Sequence, residues 1–174
     1  QRSSEVSIMD QYVISVLVSN ISGVLSRVSG MFTRRGFNID SLTVGETESS
    51  GFSRITIAFH GNSEIKNQIF QQLKKLHDVK EVEVLDKEET VIRELLLIKV
   101  KNSPEVRQDI MTAVEIFRSK IVDYSSTALI CELTGETSKI DAFIDLVKPY
   151  GIMEMCRTGI VAIQRGEKCL KTVK

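Results

Sequence analysis

The sequence predicts an α+β chain made of two small units in tandem, each with the element order βαββαβ. Three observations carry that expectation. Short apolar segments rich in β-branched residues alternate with segments whose apolar residues recur every three or four positions. Their order, strand, helix, strand, strand, helix, strand, occurs twice. A charged break without apolar periodicity, DKEET at 86–90, separates the two runs.

Residues 12–18, YVISVLV, read as a buried central strand ended by Ser19 and Asn20. A helix is expected over 22–35, with Val24, Leu25, Val28, Met31 and Phe32 on its inner face. Ser22 is placed as its N-cap, and Gly36 as the left-handed residue that ends it. A second strand is expected over 37–44, a turn over 45–51, and a third strand over 52–60 with Ile55, Ile57 and Phe59 facing the helices. Ile65, Ile69, Leu73 and Leu76 mark a second helix, and VKEVEVL at 79–85 closes the unit.

The second run begins with a leucine-rich strand over 94–101. A helix follows over 103–119, with Ser103 as N-cap, Pro104 at its first position, and Val106, Ile110, Val114 and Phe117 inward. Strands over 121–124 and 128–133 come next, then a helix carrying Ile140, Phe143, Ile144 and Val147, stopped by Pro149 and Gly151. Short strands over 153–156 and 160–163 finish the run, and a basic tail from Arg165 is expected to fray. Both units are of the split-βαβ, ferredoxin-like kind. The domain boundaries are 11–86 for the first unit, 87–93 for a linker, 94–165 for the second and 166–174 for the tail. Units of roughly 75 residues bury their surface incompletely, and a lone sheet leaves open edges and a bare face, so at least a dimer is expected.

Composition narrows the function classes. The 23 basic and 23 acidic residues cancel, which argues against a dedicated nucleic-acid surface. No apolar run approaches the roughly 18 residues that span a bilayer. The N-terminal QRSSEVSIMDQ is polar, carries no apolar signal core, and its start at Gln1 fits a cut end. Cys131, Cys156 and Cys169 form neither a CxxC pair nor a cluster with histidine; Cys131 and Cys156 are expected in the core, and the chain in a reducing cytoplasm. His60 and His77 end a strand and a helix. No GxSxG, HExxH, phosphate-loop or GxGxxG pattern occurs, so no enzyme active site is expected.

The loop Asn20-Ile21-Ser22-Gly23 is the candidate site. A helix N-terminus offers unpaired N–H groups and partial positive charge to a carboxylate. Gly23 lets a ligand approach the backbone. Asn20 before the helix and Asn38 after it can orient an α-ammonium or an α-carboxylate. Ile21, Val24, Ile39 and Leu42 could enclose an aliphatic side chain. The competing reading is that these are ordinary turn residues, with Asn38 satisfying a backbone group.

The strand SVLV, the helix entry N-x-x-G-V-L-S-R, the passage F-x-x-R-G-F-N-I-x-S-L-T-V and SRITI in the third strand closely resemble the small, regulatory subunit of acetolactate synthase. The resemblance runs over about residues 12–165. It implies an ACT domain, a ferredoxin-like amino-acid-sensing unit, followed by a second ferredoxin-like domain. It further implies a chain without chemistry or cofactor of its own, whose catalytic partner uses thiamine diphosphate, magnesium and FAD. The chain would activate that partner and confer feedback inhibition by valine, or by leucine or isoleucine, bound where two ACT domains meet. Carried over by motif, Asn20, Ile21, Gly23 and the Val24 amide come from one protomer, and Asn38 and Ile39 from the other. Ser22 departs from the proline that ACT domains often place before the glycine. The rival expectations are a nucleic-acid-binding or metal-responsive ferredoxin-like regulator. For the first, the central strands offer Tyr12 and Phe52 near their ends but no RNP-type run; the second lacks any histidine beyond His77.

Overall fold

A computed structural model describes residues 9–170. The chain divides into two compact units, one formed by the chain up to Val91 together with the segment from Ala162 onward, the other by Ile92–Val161. In the first, β1 (Asp10–Ser19), α1 (Val24–Arg34), β2 (Ser41–Glu46), β3 (Phe52–Gly61), α2 (Ser63–Lys74) and β4 (Val79–Leu85) follow the predicted βαββαβ order. Its sheet has the strand order β2-β3-β1-β4 with every neighbour antiparallel. Since β1 and β2 both oppose β3, they run in the same direction, and β2 is an edge strand.

One face of this sheet packs on the helices: Ile14, Val16 and Val18 of β1 and Ile55, Ile57 and Phe59 of β3 meet Val28, Phe32, Ile69 and Leu73. Leu25, predicted to join that core, is 41% exposed. The buried stripe is Val24, Val28, Met31 and Phe32, and Leu25, about 100° around the helix from Val24, falls at its margin. The end of α1 matches expectation. Gly36 has φ 68°, its N–H reaches Thr33 O, and the Phe37 N–H reaches Phe32 O, which is the paired bonding of a Schellman turn. That turn is also why β2 begins at Ser41 instead of residue 37: the backbone joins β3 only where the Asp40 N–H donates to Ala58 O.

The opposite face of the sheet is also buried. Val13, Ser15, Leu17 and Ala58 point away from the helices and are at most 2% exposed. Part of the cover is the chain's own C-terminal segment. Arg54 donates from Nη2 to Ala162 O (2.9 Å), and Gln164 donates from Nε2 to Glu83 Oε1 (2.8 Å). The Arg165 N–H reaches Glu89 O, and Lys168 pairs with Glu89. The tail, expected to fray from Arg165, is therefore fastened as far as Lys168; residues 171–174 lie outside the described range.

The second unit holds most of β5 (Thr90–Lys101), α3 (Arg107–Phe117), β6 (Lys120–Tyr124), β7 (Ala128–Gly135), α4 (Thr137–Val147), one 3₁₀ turn (Lys148–Tyr150) and β8 (Ile152–Arg157). The order β6-β7-β5-β8 repeats that of the first sheet, and β9 (Val161–Gln164) also pairs with β5. Residues 90–93, read as linker, are the first residues of β5, so the break shrinks to the turn closed by the Glu89 N–H on Asp86 O. Likewise α3 starts at Arg107, because residues 104–106 form a turn anchored by the Val106 and Arg107 N–H groups on Ser103 O. Cys131 is core, and burial pushes its thiol up to about 11. Cys156, also expected in the core, is exposed: it sits on edge strand β8 opposite Leu97, on the face away from α3 and α4.

The core of the second unit, Leu96, Ile98, Val100, Ile110, Phe143 and Val147, ends at an ion cluster. Arg157 reaches Glu94 through Nε (3.3 Å) and Nη2 (3.1 Å), and Asp141 through Nη1 (2.8 Å). Glu94 is 4% exposed, so it depends on this pairing. Arg157→Met is expected to cost about 3–5 kcal/mol by stranding that carboxylate. Adding Glu94→Leu should restore most of the loss in chemical denaturation. Removing residues 162–174 should raise dye binding to the uncovered sheet and lower the unfolding midpoint. The Arg54 hydrogen bond alone accounts for about 1–3 kcal/mol, at roughly 2–4 °C each.

Candidate functional site

Strand β1 delivers the chain to the candidate loop. The Ser19 N–H donates to Asp78 O (2.9 Å), the Asn20 N–H to Gly51 O (2.8 Å) and the Ile21 N–H to Ser19 O (2.9 Å). The helix is then entered through Gly23 at φ 85°, with no side-chain cap. Ser22, predicted as N-cap, does not take that role, because the left-handed turn falls on the next residue. The consequence is a helix start with free donors. Among the described residues no acceptor meets the N–H groups of Ser22, Gly23, Leu25 or Ser26. Four N–H groups without a protein acceptor and the positive end of the helix dipole can attract a carboxylate.

Beside these donors stand acceptors. Asn20 donates from Nδ2 to Glu46 Oε1 (3.2 Å), which turns its own Oδ1 outward. Glu46 has no cationic partner among the described residues. Arg27, one turn into α1, lies over the loop: its Nη1 is 3.1 Å from where a Cβ on Gly23 would stand. It is paired with Asp78, to which Nε donates at 2.6 Å. Glu46 and Arg27 were not singled out in the sequence. The signal for Glu46 was available in the ferredoxin-like order, which runs β1 and β2 in the same direction and brings their C-terminal ends together.

The remaining candidates fall in two groups. Ile21 is 50% exposed and Val44, on β2, is 42% exposed, so apolar surface rims the loop, while Val24 is buried. Leu42 packs against the core. Asn38 and Ile39 are elsewhere. They precede the start of β2, whereas Asn20 adjoins its end, and a strand of six residues separates these ends by roughly 17 Å. One chain does not bring Asn20 and Asn38 around one small ligand. Asn38 is exposed, and its side chain makes no hydrogen bond among the described residues, so the turn-residue reading finds no backbone group satisfied by it. Its segment is tethered by Asp40, whose Oδ2 is 2.5 Å from His60 Nδ1, and by Ile39 against the core.

Among the described residues no group of three or more His, Cys, Asp or Glu could hold a metal ion, and no helix is long and apolar enough to cross a membrane. What the loop offers chemically is a set of N–H donors at the helix entry beside the acceptors of Asn20 and Glu46.

Comparison with known proteins agrees over most of the chain. Residues 14–81 match the family model described as an AHAS small subunit-like ACT domain, and residues 93–166 match the model of the small subunit of acetolactate synthase. The probable acetolactate synthase small subunit of Archaeoglobus fulgidus is 49% identical over 158 residues, 91% of this chain and 99% of that protein. The acetolactate synthase small subunit of Bacillus subtilis is 46% identical over 156 residues, 88% of this chain and 90% of that one. The crystal structure of the small subunit from Thermotoga maritima superimposes with a TM-score of 0.85 at 44% identity, covering 91% of this chain and 99% of its own.

The left-handed entry makes a stability prediction. Gly23→Ala should cost about 1–2 kcal/mol, the penalty of a side chain at that backbone conformation. Gly45→Ala, on the open edge strand with no atom within 4 Å of the new Cβ, should cost far less in the same urea titration.

Proposed function

Because the chain belongs to the acetolactate synthase small-subunit family, we propose that it activates a separate catalytic subunit and confers feedback inhibition by valine, leucine or isoleucine in branched-chain amino-acid biosynthesis. The catalytic partner would supply the thiamine diphosphate, magnesium and FAD chemistry in the cytoplasm, and this chain none. The observation that carries the effector reading is the open helix entry at Ser22–Ser26, flanked by the acceptors of Asn20 and Glu46.

The complete pocket requires two copies. Strand β2 has β3 on one side only. Two β2 edges paired antiparallel about a two-fold axis would set the start of one strand beside the end of the other. That brings Asn38 and Ile39 of one protomer to Asn20, Ile21, Gly23 and Val24 of its partner. The exposed Ile21, Leu25 and Val44 then gain an apolar surface to enclose the effector's side chain and to bury against each other. An effector held by both protomers ties occupancy to dimer geometry, and a ligand regulates only through such a difference in affinity between states.

Two measurements test this. Mixing the chain with its cognate catalytic subunit should raise acetolactate formation, and valine should lower it; no change in either rate would overturn the reading. Asn38→Ala should weaken valine binding by about 1–3 kcal/mol in calorimetry, the scale of a lost hydrogen bond to a charged group, without lowering thermal stability. Asn38 is a better probe than Gly23, whose replacement also strains the backbone.

A further inference from the structure

Neither helix of the second unit covers the sheet face that points away from α3 and α4, and we infer that this face packs on the same face of a second copy of the chain. Register sets out its centre. Leu97 lies opposite Glu132 of β7 and Cys156 of β8, and Lys99 lies opposite Ile130 and Glu154. Alternate residues of a strand share a face, so these six side chains stand together, opposite to the core residues Leu96, Ile98 and Cys131. Apolar surface is open in the middle: Leu97 is 39% exposed and Cys156 is exposed, with Leu95 and Ile130 half-buried beside them.

The charges identify the occupant. Glu132 is half-buried in this apolar setting, yet it makes no ion pair among the described residues, although Lys120 is its neighbour on β6. Lys99 meets Glu154 only at 3.4 Å and keeps further donors to give. Leu97 and Ile130 form one diagonal of the central four residues, and Glu132 and Lys99 form the other. A two-fold axis along the apolar diagonal lays Leu97 and Ile130 each on its own counterpart and sets Glu132 over the partner's Lys99. One patch then serves both copies, and its two charges exchange. With the usual strand spacing and rise, the strands of the two sheets cross at roughly 70°, near the orthogonal class of sheet packing. Their separation of about 10 Å is filled by leucine, lysine and glutamate side chains. A wholly acidic or wholly basic partner would set one of the two charges against its like, whereas a second copy satisfies both.

Sedimentation velocity on the full chain across a concentration series tests the assignment. The parent should self-associate. Leu97→Asp, placed on the axis, should weaken association about tenfold or more, since it sets two carboxylates face to face. Its unfolding midpoint at high dilution should match the parent's. Glu132→Lys and Lys99→Glu should each weaken association by a similar factor, and the double variant should recover to within about threefold, because the charged diagonal is then only reversed. Parent-like association in Leu97→Asp, or a double variant no better than the single ones, overturns the assignment, as does a parent that stays monomeric throughout. A Leu97→Asp chain that associates like the parent but no longer stimulates the cognate catalytic subunit gives the face to that subunit, and also overturns it. None of these outcomes depends on valine, so they stand or fall apart from the effector pocket.

Discussion

Strand β1 is buried on both faces, and the first unit is arranged around that fact. Ile14, Val16 and Val18 face the helices, and Val13, Ser15 and Leu17 face the other way, all at most 2% exposed. A small antiparallel sheet with helices on one side ordinarily leaves its other side wet. Here the second face carries apolar residues that need cover, and the chain returns its C-terminal segment to provide some of it. Arg54 shows the cost of that arrangement. Its burial lowers its pKa, and Nε has no hydrogen-bond partner, while Nη2 secures the Ala162 carbonyl. A double-sided strand is also a stiff one. The start of the loop that follows it is held by backbone bonds from Ser19 to Asp78 and from Asn20 to Gly51.

Strand direction then decides what one protomer can do. With β1 and β2 parallel, the end of β2 is drawn to the helix entry and its start is carried away. Donors, acceptors and the charged Glu46 accumulate at one end, and Asn38 is left at the other with an unused side chain. In the proposed dimer, a half-site on an open sheet edge would couple binding to association without a hinge or lid. On the proposed function, the fold's weakness, an unpaired edge in a small unit, is the feature that regulation would use.

Much of this was legible in sequence. Apolar spacing of two and of three or four assigned both βαββαβ units, and Gly36 marked the Schellman turn because a left-handed residue with no Cβ was required there. The misplacements share one cause, the bonding of a distant segment. Ser22 has the chemistry of a cap, but the chain turns at Gly23 after anchoring on Gly51 and Asp78. Residues 90–93, TVIR, adjoin the charged 86–90 break and read with it as linker, yet they open a long β5 that pairs with β9. Cys156 sits in an apolar run and faces solvent because, opposite Leu97, it lies on the sheet face away from α3 and α4.

By itself, then, the sequence determined the element order, the two cores, the donors at the helix entry and the family, since these depend on local periodicity and contiguous motifs. The tertiary structure decided which residues become neighbours across the sheet: that Glu46 joins Asn20, that Asn38 does not, and that the C-terminal segment covers β1. The reason is physical. Local patterns report which side chains are buried, but strand order and direction fix which ends of different strands meet, and a binding site is made of such meetings.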